Sequence, residues 1–182
     1  MKIFLSLILM IPLYNNAEVI YGALGLENGD IRVAPYEFEI TAYQLGFLAA
    51  IGNVVIGSSV ASGTVDDVAS NDIDFVAKGI DFGYAFGDIT NGSFVLGASF
   101  TSGEIQKPDL SNIKTSETEP YISYSKMSGE GFDYEVSLGD GVFDVKTIIP
   151  VGDSKNFRAL IGYETTDDIE ALTFGIVYKI SF

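Results

Sequence analysis

The strongest constraint on the fold is an alternation of apolar and polar residues with a period of two. Near the C-terminal end, every second residue is large and apolar: Leu172, Phe174, Ile176, Tyr178, Ile180 and Phe182. The residues between them are mostly small or polar: Thr173, Gly175, Val177, Lys179 and Ser181. Because successive side chains of a β-strand point to opposite faces, the pattern predicts a strand with one apolar face.

The same alternation recurs along most of the chain. It marks ten segments: 19–26, 36–51, 54–64, 72–86, 93–103, 119–127, 132–138, 142–151, 156–164 and 169–182. Short links rich in Gly, Asn and Asp separate some of them, and these alternate with links that are more acidic and mostly longer. The pattern predicts an all-β chain of ten strands, or of eight if 119–127 and 132–138 belong to loops.

The first seventeen residues have the order of a secretory signal. Lys2 is followed by an apolar run over residues 3–13, and the polar pair Asn15-Asn16 precedes Ala17. A run of eleven is too short for a transmembrane helix, which needs about 20 apolar residues. We therefore predict a signal peptide over 1–17 and one β-domain over 18–182, the alternative being that the run is a buried first element.

Composition excludes several classes of function. The chain has no Cys and no His, so it cannot be a thiol enzyme, use a Ser-His-Asp relay or hold a metal through imidazole or thiolate. Its 10 basic and 25 acidic residues give a net charge of −15, which disfavours nucleic acid as a partner. With 47% hydrophobic residues it is too apolar for an acidic disordered chain.

The face opposite the apolar one predicts which side meets water. It is rich in Gly, Ala and Ser, as suits the crowded inside of a narrow cylinder. It also carries charges of both signs: Asp81, Asp133, Glu135, Asp144, Lys146, Arg158 and Lys179. These features favour apolar side chains outward in lipid and polar ones inward. An open sheet in hydrocarbon leaves backbone groups unpaired, so we predict a closed, antiparallel, up-and-down transmembrane β-barrel. Its lumen is expected to be filled by these seven charges, which neutralise one another.

The export signal, the alternating segments and the ending Tyr-Lys-Ile-Ser-Phe resemble the small bacterial outer-membrane β-barrel proteins. The resemblance implies a place in the outer membrane. It also implies that Tyr178, Ile180 and Phe182 form the C-terminal signal read by the barrel-assembly machinery. Both termini would be periplasmic, and the acid-rich connections extracellular.

Acidic residues cluster in the connections at Asp66-Asp67, Asp72-Asp74 and Asp167-Asp168-Glu170. Carboxylates of this kind can hold Ca²⁺ or Mg²⁺, but none of these groups matches a 12-residue calcium loop. We expect a solvated acidic rim, with no metal site and no cofactor. One hypothesis is that divalent cations bridge this rim to anionic lipopolysaccharide.

Three functions remain open from the sequence. The first is a non-enzymatic integral outer-membrane barrel with a structural, surface-interaction or envelope-maintenance role. The second is a narrow, cation-preferring pore, suggested by the Gly-rich interior and the acid excess. The third is a secreted soluble β-barrel that carries a lipophilic ligand, which requires the apolar face to point inward.

Overall fold

The computed structural model describes residues 17–33, 36–66, 73–106 and 113–180. Within these ranges, ten strands form one closed barrel in which each strand is antiparallel to its neighbours. The strands are β1 (Ala17–Val33), β2 (Tyr36–Ile51), β3 (Val54–Val65), β4 (Ile73–Ala85), β5 (Ser93–Gln106), β6 (Ile113–Lys126), β7 (Asp133–Gly139), β8 (Phe143–Pro150), β9 (Phe157–Thr165) and β10 (Ile169–Ile180). The predicted closed meander of ten strands is confirmed. Among the residues described, no helix is long and apolar enough to cross a membrane.

The barrel closes by pairing its first strand with its last. The β1–β10 ladder runs without a shift from Ile20↔Ile180 to Ile31↔Ile169. Since every strand then has two neighbours, backbone groups in the wall find partners without help from water. Both described chain ends lie at one end of the barrel, together with the connections 52–53, 86–92, 127–132 and 151–156. This end is called the turn end below, and the opposite one the loop end.

The wall is taller on one side than on the other. Strands β1 to β6 have 12 to 17 residues, whereas β7, β8 and β9 have 7 to 9. The β6–β7 ladder begins only at Tyr121↔Gly139, so residues 113–120 of β6 pair with β5 alone. Pro120 stands at that boundary, where a residue without an N–H costs least.

The first and sixth segments predicted from the sequence were too short. Strand β1 continues to Val33 instead of stopping at 26, and β6 begins at Ile113 instead of 119. Residues 113–118 are all exposed, so at this height neither face is distinctly apolar. Backbone pairing continues there while the alternation that reveals a strand in the sequence is lost.

The turn end is sealed by an apolar cluster. Its fully buried members come from the strands and from two turns: Val19, Tyr21, Ala50, Val55, Ala85, Ile89, Val95, Met127, Ile148 and Val177. Ile89 and Met127 belong to the β4–β5 and β6–β7 turns, and the Met127 N–H donates to the Ile89 carbonyl at 2.9 Å. Two turns thus fold under the lumen and form its floor.

Candidate functional site: the outer surface and the lumen

The outer surface carries large apolar side chains that face away from the barrel. On β10, Phe174 and Ile176 are 50% and 61% exposed. The next residue, Val177, faces the inside of the barrel and is 1% exposed. The same holds on other strands for Leu45, Ile80, Phe82, Leu96, Ile122, Leu138 and Ile161. Phe47 and Ala49, which the alternation also places outward, are instead buried with Ile20 and packed by Ile51 and Ile180. The predicted polarity of the two faces is therefore observed.

Aromatic rings concentrate around the outside of the turn end. Phe94 and Tyr124 meet edge to face at 5.2 Å between ring centroids, and Tyr124 stacks with Tyr134 at 6.1 Å. Phe157 and Tyr178 make a further edge contact at 5.2 Å. Rings with an apolar body and, in Tyr, a polar tip suit the boundary between hydrocarbon and water.

The lumen contains a cavity of about 360 Å³ above the floor. Met127, Tyr21 and Val177 line its bottom, and its wall reaches Gly139 and Val142 beside the β7–β8 connection at the loop end. The carboxylates on the inner face that line it are Asp81, Glu119, Asp133, Glu135, Asp144 and Glu164. Lys126 and Lys146 are the cations of that lining, so carboxylates outnumber cations and the cavity is acidic.

A buried polar group lies at the floor. Asp133 and Arg158 are 1% and 3% exposed in their side chains and form an ion pair at 3.8 Å. The Tyr21 hydroxyl donates to Asp133, and the Arg158 guanidinium lies 6.0 Å from the centre of the Tyr21 ring. Arg158 also donates to the carbonyls of Gly129 and Gly131 in the β6–β7 turn.

A second charged group lies higher in the lumen, on β7, β8 and β9. The Lys146 ammonium contacts the Asp144 carboxylate at 2.5 Å. Register places Glu135 directly opposite Lys146 on β7, and Glu164 directly opposite Asp144 on β9. Like charges directly opposite are destabilising, so Lys146 offsets the repulsion among these three carboxylates. The Ser125 hydroxyl donates to Glu135 at 2.7 Å, which fixes one of them.

A closed barrel with apolar side chains outside and charged ones inside reverses the polarity of a soluble protein. The fold is that of a small outer-membrane β-barrel.

No family model and no curated protein matches this chain. Among solved structures, it is similar to Neisserial surface protein A, with 10% identity, a TM-score of 0.45, and coverage of 90% of this chain and 97% of that one. It is also similar to Ail of Yersinia pestis in complex with the heparin analogue sucrose octasulfate, with 15% identity, a TM-score of 0.43, and coverage of 90% and 99%. The translocator domain of the autotransporter NalP from Neisseria meningitidis gives 10% identity, a TM-score of 0.44, and coverage of 100% and 95%. These similarities assign no function to the chain.

The structure separates the seven charges predicted to fill the lumen into two groups. Asp133, Arg158 and Lys179 lie at the floor, where the Lys179 ammonium donates to the Gly129 carbonyl at 3.1 Å. Glu135, Asp144 and Lys146 lie in the upper group. Asp81 lines the same cavity from β4, on the far side of the barrel, where it sits opposite Gly57 and Ser99.

Three inward acids are absent from the charged set predicted from the sequence: Glu27, Glu119 and Glu164. Glu27 accepts a hydrogen bond from the Gln44 side chain on β2. Counting positions by twos from Tyr21 on β1 and from Tyr121 on β6 places Glu27 and Glu119 on the inner face, so the alternation held the signal. The predicted first segment ended at 26, one residue before Glu27, whereas Glu119 is the first residue of the predicted sixth segment. Glu164 follows Arg158 by the same parity but was left out of the charged set.

Two of the three residues predicted as an assembly signal lie in the described part of the chain. Tyr178 is outward and pairs with Gly22 and Phe157, and Ile180 pairs with Ile20 at the closing seam. Phe182 lies outside the described residues, as do Asp67 and Asp72 of the acidic connections. In the described part of the chain, no group of three or more acidic residues is arranged to hold a metal ion. Glu170, one of those predicted rim acids, instead pairs with Arg32 at 3.2 Å.

Proposed function

We propose that the protein is a non-enzymatic integral barrel of the bacterial outer membrane, with a structural, surface-interaction or envelope-maintenance role. The observation that carries the proposal is the belt of exposed apolar side chains around the outside, such as Leu96, Phe174 and Ile176. In water, a continuous belt of this kind would drive association, since each square ångström of apolar surface is worth about 25 cal/mol on burial. In a bilayer, the same belt is the stabilising feature.

The alternative of a soluble carrier for a lipophilic ligand requires the opposite arrangement. Its cavity would be lined by the apolar face, and its charges would lie in bulk water. Here Phe174 and Ile176 point away from the lumen, while Arg158 and Asp144 are 3% and 8% exposed. The cavity is acidic and is a poor match for a lipophilic molecule.

The two end segments of the chain have proposed roles in export and assembly. We propose that residues 1–17 are removed during export, which leaves a mature chain starting at Glu18, inside β1 as the structure has it. Mass measurement of the protein from outer-membrane fractions tests this directly. We further propose that Tyr178, Ile180 and Phe182 are read by the barrel-assembly machinery. Two of them lie on β10, the strand that must find β1 to close the barrel.

The partners proposed for the outer surface are membrane lipids and, at the loop end, lipopolysaccharide. Asp66, Asp140 and Asp168 are exposed at that end, and divalent cations would be needed between such carboxylates and an anionic headgroup. Chelation should therefore lower the thermal stability of the barrel in bilayers that contain lipopolysaccharide. It should have no effect in bilayers without it, and an equal response in both would reject the cation bridge.

A matched pair of lysine substitutions tests the membrane placement. Leu96→Lys puts a charge within the apolar belt, whereas Ser116→Lys puts the same charge on the neighbouring strand, at an exposed position opposite Ser102. In a bilayer the first should cost up to about 2–4 kcal/mol, the midplane value for a lysine facing lipid, and the second about 0–1. Urea unfolding in liposomes, followed by gel mobility with and without boiling, measures both. Equal and small effects would contradict the proposal.

The pore alternative is supported by the acid excess in the lumen but not by the floor. Met127 and the buried Asp133–Arg158 pair lie at the floor of the cavity, beside the β6–β7 turn. We therefore expect the unaltered protein to show little conductance in planar bilayers. Reproducible cation-selective steps would favour the pore instead.

A further inference from the structure

The floor turn, defined as residues 127–132 between β6 and β7, closes the lumen in a way that differs from the rest of the wall. From the contacts of this turn, we infer that it is a releasable stopper. When the turn moves out of the barrel end, the lumen conducts cations. The inference rests on the proposed membrane placement and adds a gated activity to it.

The floor turn is held mainly by side chains. Asp133 accepts from the Ser128 N–H at 2.8 Å, from the Ser128 hydroxyl at 2.7 Å and from the Gly129 N–H at 3.0 Å. Arg158 of β9 donates to the carbonyls of Gly129 and Gly131, and Lys179 of β10 donates to Gly129 at 3.1 Å. One carboxylate and two cations therefore bind the turn, and two of the three come from strands across the barrel end.

The turn contributes little apolar packing of its own. Met127 is its one member in the floor cluster, where it meets Ile89 of the other inserted turn. The Arg158 Nε is buried without a partner, so the ionic group is not fully satisfied. A closure meant only for stability would be served as well by apolar residues, since a buried ion pair gains little over them. Polar ties of this kind can be exchanged for water, which suits a two-state element.

The backbone of the floor turn depends on two glycines. Gly129 and Gly131 have φ values of +65° and +68°, which a residue with a Cβ rarely adopts. A Cβ at Gly129 would also lie 2.7 Å from Lys179 Cε and Nζ. The two glycines let the chain leave β6, pass under the lumen and enter β7 at Asp133 within six residues.

Removal of the floor turn would join the acidic cavity to the turn end. The wall above the floor carries five carboxylates, against the two cations Lys126 and Lys146 in the lining of the cavity: Asp81, Glu119, Glu135, Asp144 and Glu164. A narrow passage lined by one sign of charge concentrates the opposite ion. The path opened by the turn would therefore prefer cations over anions.

The test is single-channel recording on the full mature chain after removal of the Asp133–Arg158 ion pair, called the ionic tie here. Arg158→Gln combined with Asp133→Asn takes away both charges while keeping similar side-chain volumes. The integrated current should rise about tenfold to a hundredfold, the shift expected in a two-state equilibrium when one or two charge-assisted hydrogen bonds are lost. The steps should be cation-selective. Glu104→Gln combined with Lys114→Gln is the matched control, because it removes an ion pair at the loop end without touching the turn or the cavity lining, and it should not raise the current.

A thiol probe gives a second, independent measurement. Since the chain has no Cys, Ser125→Cys introduces a single thiol at an inner position of β6 that is 0% exposed, just above the turn. A charged, membrane-impermeant thiol reagent added at the turn end should leave it unmodified in the otherwise unaltered chain and modify it when the ionic tie is absent. If the double variant does not fold, the same two measurements are made on Lys179→Met, which removes the hydrogen bond from Lys179 to the Gly129 carbonyl.

Flotation with liposomes and gel mobility without boiling separate the possible failures. A variant that floats and migrates as a folded barrel, yet shows neither added current nor thiol modification, overturns the stopper. An unaltered chain that refolds but does not float overturns the membrane placement itself.

Discussion

At the scale of single residues, the glycines of the inner face make room for an aromatic ring inside the narrow lumen. A Cβ at Gly97 would lie 2.4 Å from the Tyr121 ring and 2.5 Å from the Phe82 carbonyl oxygen. Such contacts force the ring or the strand to shift. Gly22, on the outer face of β1, has no heavy atom within 4 Å of the same position.

This contrast predicts opposite outcomes for the same substitution. Gly97→Ala should destabilise the barrel by about 1–3 kcal/mol, the usual cost of overfilling a packed interior. Gly22→Ala should be neutral or slightly stabilising, because alanine restricts the unfolded chain and meets nothing in the folded one. The urea midpoint of both variants in liposomes decides the matter, and a midpoint for Gly97→Ala at or above that of the parent would refute the steric argument.

Asp88 in the β4–β5 turn gives a prediction about pH. The Thr90 hydroxyl donates to its carboxylate at 2.6 Å and the Thr90 N–H at 2.9 Å, and Asn91 adds a third donor at 2.6 Å. These donors, the Thr90 hydroxyl first, hold the pKa of Asp88 below its ordinary value. Because the folded-state pKa is the lower one, the carboxylate stabilises the turn above the unfolded pKa. That contribution is lost as pH falls through the folded-state pKa.

Thr90→Val should therefore raise the pKa of Asp88 part of the way back, since the backbone N–H and Asn91 remain as donors. An NMR titration of the Asp88 carboxyl carbon in micelles measures the shift, and Asp88→Asn identifies the signal. An unchanged midpoint would mean that the hydroxyl does not bond the carboxylate in the folded barrel.

At the scale of the strand, the sequence predicts the segments whose outer face is apolar, and little beyond them. Where one face must be apolar, as from Leu172 to Ile180, alternation gives both the strand and its orientation. Above the belt the constraint disappears, and the extensions of β1 to Val33 and of β6 from Ile113 leave no pattern. The charged pairs are less predictable still. Asp133 and Arg158 come from β7 and β9 and meet inside the barrel end, where both also bind the β6–β7 turn, and no local pattern records this contact.

Closure through β10 predicts that its backbone matters more than its outward side chains. Ile176 is 61% exposed and pairs with Leu24 on one side and Ala159 on the other. Ile176→Pro removes an N–H from one of these ladders, and an unpaired backbone group in hydrocarbon costs several kcal/mol. Ile176→Ala removes only contacts with lipid. The proline variant should fail to give the fast-migrating unboiled form on a gel, and the alanine variant should keep it. Equal behaviour of the two would argue against a β1–β10 seam.

At the scale of the whole molecule, the barrel is taller on one side, and its two ends differ. An even number of strands puts both chain ends at the turn end, which we propose to be the periplasmic end. The tall wall formed by β1 to β6 then projects outward from the cell. On β6 its upper part, residues 113–118, is exposed and mostly polar, and Lys114 there pairs with Glu104 of β5 at 3.6 Å.

The absence of Cys makes this orientation testable with single thiols. Ser116→Cys places a thiol on the projecting part of β6, and Asp153→Cys places one in the β8–β9 turn, both at exposed positions. A polymer-linked maleimide too large to cross the outer membrane should modify the thiol at position 116 on intact cells. It should reach position 153 only after the outer membrane is permeabilised, because that turn then lies in the periplasm. Modification of position 153 alone on intact cells would show that the barrel has the opposite orientation. The acidic loop end would then face the periplasm, and a bridge from its carboxylates to lipopolysaccharide would be impossible.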